Sequence, residues 1–525
     1  MKSIQEQPDD EGDRIMKRKL RRIGAILLLL ALGLSACAGG EESVQPEESK
    51  TESRPEESGG EESTLPDTPR EGGELTMAVL NPDSFNPLLC SSEEGVWMLS
   101  LLFTPLIDVD EQGEPHSAIA KSWEWNGNVL TLKIDTDIRF HDGSTVAAGD
   151  VVYTVGVIQG GAASCYKACT AGIRQIRAVA EDTVVITFEA EGEGQLSQLY
   201  FPVLSRAYYS KNGSAAAPMG SGPYRLEKHL EYRELQLVRF EDYYGQRPYI
   251  DRITVYLTRV QESVDSSFES GKTDLYCPKT TLWGLYENRE GLTLHAFGSR
   301  EAVQLVFNMK SEYFAVQENR RGTALALDAA ALLKGAFWNR GLLTESSLWP
   351  PEETAALGFD REAAGKLLTA QEPGTVLRLA VLQENDALEN CARALAAQMQ
   401  EAWLAVELTE ESGSEALQSG RWDLLLAIRK TDGDSLTEQL AEGGAQNYGG
   451  YVSAEVSLLL SGKGQWQEEG RRQLAERLQE DLPVYTLFYP AQAVMTGRRI
   501  GGSLQPVWYN RCRGIENLYI RETET

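Results

Sequence analysis

Between Val376 and Ile428 the chain reads strand, helix, strand, strand. "VLRLAVL" (Val376–Leu382) alternates as a strand does, and "NCARALAAQMQEAW" (Asn390–Trp403) repeats apolar residues at three and four. "AVELTE" (Ala405–Glu410) and "RWDLLLAI" (Arg421–Ile428) return to strand chemistry. A strand–helix–strand unit joins parallel neighbours through a right-handed crossover, which restricts this half to α/β architectures. Ligand crevices in such sheets open at the carboxyl ends of the strands, so Ile428–Asp434 is expected at the lip of a cleft.

The first half is richer in strands: "GELTMAV" from Gly73, "NVLTLKI" from Asn128, "TVVITFEA" from Thr183, "RELQLVRF" from Arg233 and "RITVYLT" from Arg252. A second amphipathic helix, "GRRQLAERLQEDL" (Gly470–Leu482), is stopped by Pro483. No self-similarity occurs at the roughly 20–50-residue period of repeat proteins, which excludes a solenoid.

The amino-terminal region has a different logic. A basic cluster (Lys17, Arg18, Lys19, Arg21, Arg22) precedes the uncharged run Ile23–Leu34, which ends in Leu34-Ser35-Ala36-Cys37. A bilayer needs roughly 20 apolar residues, so this run suits a secretory signal instead. Residues 1–36 are the expected signal peptide, with Met16 as an alternative start. From Glu41 to Glu71 there are 11 acidic residues, with Ser, Pro and Gly between them. Such a stretch buries too little apolar surface to offset ordering entropy, so 37–71 is expected to be a disordered spacer.

The remaining body is long enough for two or three domains. Its acidity (formal charge −28) argues against nucleic acid or anionic lipid as a main target. Catalytic signatures are absent: no G-x-S-x-G, H-E-x-x-H, P-loop or G-x-G-x-x-G occurs, and four histidines (His116, His141, His229, His295) do not suggest a zinc site. "DVDEQG" from Asp108 departs from a calcium loop at Gln112 and Ile119, and fits a hairpin turn better. No metal, cofactor or catalytic residue is expected. An exported chain permits disulfides, and Cys165 with Cys169 is the candidate local pair.

Several stretches, in order, resemble the extracytoplasmic solute-binding proteins of ABC importers, family 5, the dipeptide- and oligopeptide-binding class. They are "GGELTMAVLNPDSFNPL" (Gly72–Leu88); the block from Leu102 to Val155, with its A-x-S-W, F-H-D-G and A-x-D-V elements; and "GSGPYRL" (Gly220–Leu226). "YYGQRPYIDRITV", "FESGKTDLY" (Phe268–Tyr276), "LVFNM" (Leu305–Met309) and "NRRGTALALDAAALL" (Asn319–Leu333) follow. The Leu34-Ser35-Ala36-Cys37 segment is similar to a bacterial lipobox, which implies diacylation of Cys37 and anchorage at the outer face of the cell membrane.

The resemblance implies an α/β, two-lobed, periplasmic-binding-protein-like fold (type II, large peptide-binding class) with mixed sheets and an extra subdomain. Lobe I is expected to comprise 72–108, 216–305 and 485–525, the extra subdomain 109–215, and lobe II 306–484. Chain crossings are expected near Val303–Asn308 and Val484–Tyr489. The implied function is non-catalytic: a monomeric lipoprotein that captures an oligopeptide or similar solute and delivers it to the permease. A glycan hydrolase at the cell surface, or a peptide sensor of the same fold without its own permease, are the alternatives.

Peptide-binding members fix the ligand amine with an aspartate after a tryptophan, in W-x-x-D-x-x-[DE]-P. Here the matching segment reads "IRKTDGDSLTEQL" (Ile428–Leu440), with no tryptophan and two added cations. Asp432 is the candidate amine anchor and Arg429 the candidate contact for an anionic group. Further cleft candidates are Phe85, Asn86, Asn308 and Tyr448. The F-H-D-G and G-S-G-P elements are read as turn chemistry that shapes the scaffold.

Overall fold

The computed structural model describes residues 68–525 apart from 162–163, 190–192, 279–285, 287–288, 344–356, 372–374, 384, 432, 461–467 and 523–525. Cys37, the signal and spacer up to residue 67, and Asp432 lie outside the described residues. Among the described residues no helix is long and apolar enough to cross a membrane.

Two mixed sheets form the frame. In the seven-stranded sheet, strand Glu74–Leu80 runs parallel to Arg252–Thr258 in unbroken register and is also parallel to Leu275–Tyr276. In the six-stranded sheet, Leu377–Val381 lies parallel to both Val406–Ser412 and Leu424–Lys430, with helix Asp386–Glu401 as the crossover. This is the unit expected from the sequence. Its helix begins earlier than the apolar spacing indicates, because the Asn385 side chain accepts from the N–H groups of Ala387 (2.9 Å) and Leu388 (3.2 Å). Asp386 and Glu389 in the first turn complement the helix dipole.

A separate four-stranded antiparallel sheet (Ala120–Asn126, Val129–Ile134, Thr183–Phe188, Ile173–Ala180) lies within 109–215. Its Leu132 and Ile186 share one apolar core with Leu75 and Val255 of the seven-stranded sheet. Val303, Leu379, Leu395, Leu424 and Phe488 form the main core of the six-stranded sheet. Thr64–Thr525 holds together as one unit, yet among the described residues no apolar cluster draws on both sheets.

The crossings fall at different places from those expected. Glu301–Phe307 and Val484–Pro490 pair with each other inside the six-stranded sheet, while Thr293–Phe297 and Gln492–Thr496 pair inside the seven-stranded one. The chain therefore passes between sheets at Gly298–Arg300 and at Ala491, so residues 301–305 and 485–490 belong with the second sheet. Apolar strands that alternate equally well on either side of a crossing carry no mark of which sheet they join.

Two of the motifs interlock. The backbone N–H of His141 donates to the Gly220 carbonyl (2.8 Å), and the Gly220 N–H donates to His141 Nδ1 (3.3 Å). His141 Nε2 then donates to the Gly222 carbonyl (3.1 Å), which fixes a neutral ring with the proton on Nε2. A Cβ on Gly220 would stand 2.2 Å from the Leu102 carbonyl oxygen, so the close approach of these loops requires glycine. "DVDEQG" is a hairpin turn: Ile107–Val109 pairs with Pro115–Ser117, and Asp110 Oδ1 accepts from the N–H groups of Gln112 and Glu114.

Cys165 and Cys169 are not joined. Cys165 is exposed, whereas the short 3-10 helix Ala168–Thr170 turns Cys169 into the core beside Tyr166. Closeness in sequence does not point the two thiols at each other.

Candidate functional site

A group of aromatic rings packs on the core of the seven-stranded sheet beside the first crossing. Tyr200 stacks on Tyr509 (centroids 4.7 Å, 29°) and meets Trp508 edge-on (6.0 Å, 89°), while Tyr166 packs against its other side (6.3 Å). Tyr166, Tyr200 and Tyr509 line one recess with Phe103, Pro105 and Asn510. Tyr509 is held rigidly: its hydroxyl donates to Asp108 Oδ1 (2.6 Å) and accepts from the Val109 N–H (2.7 Å), and burial pushes its titration far above the usual phenol range. Asp108 is in turn gripped by Arg513 through Nε (3.0 Å) and Nη2 (2.8 Å). The Trp508 indole N–H is buried and has no acceptor among the described residues.

The first crossing closes over these rings. The Arg300 guanidinium lies 3.8 Å from the Trp508 ring centroid and 5.9 Å from that of Tyr200. The Arg300 carbonyl accepts from both the N–H and the hydroxyl of Thr431, each at 3.0 Å. The carboxyl end of strand Leu424–Lys430 is thus tied to the crossing.

Arg429 and Tyr448 come together there, with the guanidinium carbon 5.6 Å from the Tyr448 ring centroid. Arg429 is 5% exposed, and burial pulls its guanidinium down to about 10. Its Nη2 donates to the Gln446 carbonyl (3.0 Å), while Nε and Nη1 have no partner among the described residues.

The other candidates stand elsewhere. Phe85 packs edge-on against the His229 ring (4.8 Å) on the first sheet's side. Asn86 is buried, and its Oδ1 accepts from the Leu88 N–H (3.0 Å). Asn308 donates to the Trp422 carbonyl (2.7 Å) and accepts from the Lys310 N–H (3.0 Å). Asn86 thus serves a local turn, and Asn308 ties its own turn to the segment before strand Leu424–Lys430. The aromatic floor and Arg300 were not singled out from the sequence. The adjacent Trp508-Tyr509 pair is the one signal that would have suggested them.

Two mixed α/β sheets, each with its own core and linked by paired crossings, are the layout of a periplasmic binding protein. The fold matches that of the ABC transporter substrate binding protein CtaP from Listeria monocytogenes, with a TM-score of 0.74 at 20% identity over 86% of this chain and 100% of that one. Residues 114–444 match the model of the bacterial extracellular solute-binding proteins, family 5, and the chain belongs to that family. The family is a class of solute binders rather than catalysts, so the hydrolase alternative falls.

Among curated proteins the chain is 22% identical to the oligopeptide-binding protein AppA of Bacillus subtilis (strain 168) over 328 residues, 59% of this chain and 57% of that protein. It thus spans just over half the length of this relative in sequence. The solved structure of Bacillus subtilis AppA in complex with a nonapeptide matches with a TM-score of 0.61 at 18% identity, over 87% of this chain and all of that one.

Proposed function

We propose that the protein is the substrate-binding lipoprotein of an ABC importer, and that it captures oligopeptides or a similar small solute at the junction of its two sheets for delivery to a membrane permease. The observation that carries this reading is the aromatic floor of Tyr166, Tyr200, Trp508 and Tyr509 beneath Arg300. Flat rings with one unpartnered N–H suit an extended chain of alternating apolar and amide groups. Membership of the solute-binding family and the nonapeptide complex of AppA support the peptide class.

The test is thermal unfolding of the intact protein with and without a pool of synthetic tetra- to hexapeptides. A ligand that binds only the folded state adds RT ln(1 + [L]/Kd), about 2.7 kcal/mol at a hundredfold excess over Kd. A rise in Tm with the peptides recovered unaltered supports the reading, whereas cleavage of the pool, or no rise, rejects it. Tethering through Cys37 is tested by incorporation of an alkyne-tagged fatty acid in the host. Label that disappears, with release of the protein, in Cys37→Ala supports the anchor; an unlabelled wild type rejects it. A permease encoded beside the gene separates transport from sensing.

A further inference from the structure

A second recess, of about 230 Å³, shares Phe103, Pro105 and Asn510 with the aromatic one. Its lining comes from residues 100–118, 223–244 and 505–516, and none of it from Glu301–Pro490. It therefore belongs to the seven-stranded side alone and does not need the second sheet to be complete. It has room for a small organic molecule as well as for water.

Three charged side chains line it among the described residues, Asp108, Arg513 and Glu516, and their charges do not balance. Arg513 spends Nε (3.0 Å) and Nη2 (2.8 Å) on Asp108, and Nη1 on Gln505 Oε1 (3.1 Å). Asp108 also accepts from the Tyr509 hydroxyl, so that pair closes on itself. Glu516 is left over. The 3-10 helix Ile515–Asn517, entered through Gly514 at φ 84°, presents it to the recess. Among the described residues the one hydrogen bond its carboxylate accepts is from its own backbone N–H. Burial raises this carboxyl above its ordinary range, which its own N–H and the Arg513 charge oppose and the Asp108 charge reinforces.

The wall beside it is aromatic. Tyr243 and Tyr244 meet edge to face (centroids 4.9 Å, 64°), and both phenols feel the Asp108 and Glu516 charges. Tyr244 keeps 42% of its surface exposed, so its ring is reached from solvent. Ring faces carry the negative end of the aromatic quadrupole, and beside a carboxylate with unfilled acceptor sites they attract a cation that brings N–H donors. An anion meets two carboxylates there, and an apolar molecule would strip water from Glu516 without replacing its hydrogen bonds. No group of three or more His, Cys, Asp or Glu side chains fit to hold a metal ion occurs among the described residues.

We propose that this recess is a second binding site, separate from the solute site, which takes a small organic ammonium ion between the Glu516 carboxylate and the Tyr243–Tyr244 rings.

The experiment uses three probes of similar size: ethanolamine as its ammonium ion, neutral ethylene glycol, and the anion glycolate. Each is titrated at neutral pH into the intact protein, with saturation-transfer NMR and calorimetry as readouts, and then into Glu516→Gln, Tyr244→Leu and Trp508→Leu. The ammonium ion is expected to bind the wild type saturably, and the other two at least about tenfold more weakly, as loss of a charge-assisted hydrogen bond implies. Glu516→Gln is expected to weaken the ammonium ion at least about tenfold, and Tyr244→Leu severalfold, while Trp508→Leu leaves it bound.

An ammonium ion that binds the wild type no better than ethylene glycol overturns the proposal, and so does undiminished binding to Glu516→Gln. Binding lost in Trp508→Leu but kept in Glu516→Gln puts the cation in the aromatic recess and also overturns it. The comparison of probes on the wild type needs no variant, so a misfolded variant does not blunt the test. Failure of the peptide pool to bind would remove the peptide reading and leave this site standing.

Discussion

The guanidinium of Arg300 lies over Trp508, 3.8 Å from the ring centroid, so the crossing between the sheets is pinned to the aromatic group. A cation over an indole contributes about 0.5–2 kcal/mol, more as water is excluded. Trp508→Leu should therefore lower stability by about 0.5–2 kcal/mol and, by removing one ring of the floor, weaken binding of the peptide pool. Calorimetry of the variant reads this directly, and unchanged affinity would remove the floor from the site.

His141 makes stability depend on acid. Burial holds its ring down at about 4, the Arg225 charge adds to the depression, and the Gly222 carbonyl and Asp142 oppose it. In the unfolded chain a histidine titrates near its ordinary value of about 6.5. Between those values the unfolded state binds a proton that the folded state does not, so stability is lost as pH falls from about 6.5 towards about 4. Urea midpoints at pH 7 and pH 5 should differ more in the wild type than in His141→Gln. An equal difference would show that the ring charges without cost.

Gly222 should tolerate no side chain. A Cβ there would meet the backbone of Leu102 at 2.5 Å and the Phe103 nitrogen at 2.7 Å, and backbone atoms cannot rotate aside. Gly222→Ala should cost about 1–3 kcal/mol in chemical unfolding. Gly271→Ala, at an open turn where the cost is conformational strain alone, is the control.

Asp274, next to strand Leu275–Tyr276, ties the neighbouring strand Glu74–Leu80 to Arg499. Its buried carboxylate accepts from the N–H and hydroxyl of Thr76, both at 2.7 Å, and from Nε and Nη2 of Arg499. Asp274→Ala strands those donors and should cost about 3–5 kcal/mol, as removal of one partner of a buried pair does. Arg499 is 41% exposed, so water compensates more readily and Arg499→Ala should cost less. Equal losses in equilibrium unfolding would contradict that ordering.

What the sequence made legible divides along physical lines. The unit around Asp386–Glu401 could be read because helix and strand periods differ and a crossover has one hand. His141 and Gly220 read correctly as scaffold because turn glycines announce backbone geometry locally. The strands Glu301–Phe307 and Val484–Pro490 were visible as strands but not as partners, since pairing depends on residues almost two hundred positions apart. Tyr200, Trp508 and Arg300 come from three distant segments, and single aromatic residues look alike whether they line a recess or fill a core. Arg429 could be named from its neighbours, but that its Nε and Nη1 find no acceptor among the described residues is a property of the folded state alone.

The segment Glu301–Pro490 enters and leaves its sheet on adjacent antiparallel strands, so its two ends emerge side by side, about one strand spacing (~4.8 Å) apart. It is thus a cassette plugged into the rest of the molecule by two neighbouring junctions. Exchanging that cassette for the equivalent piece of a relative would transplant the Arg429 face whole, leaving the aromatic floor with its original owner.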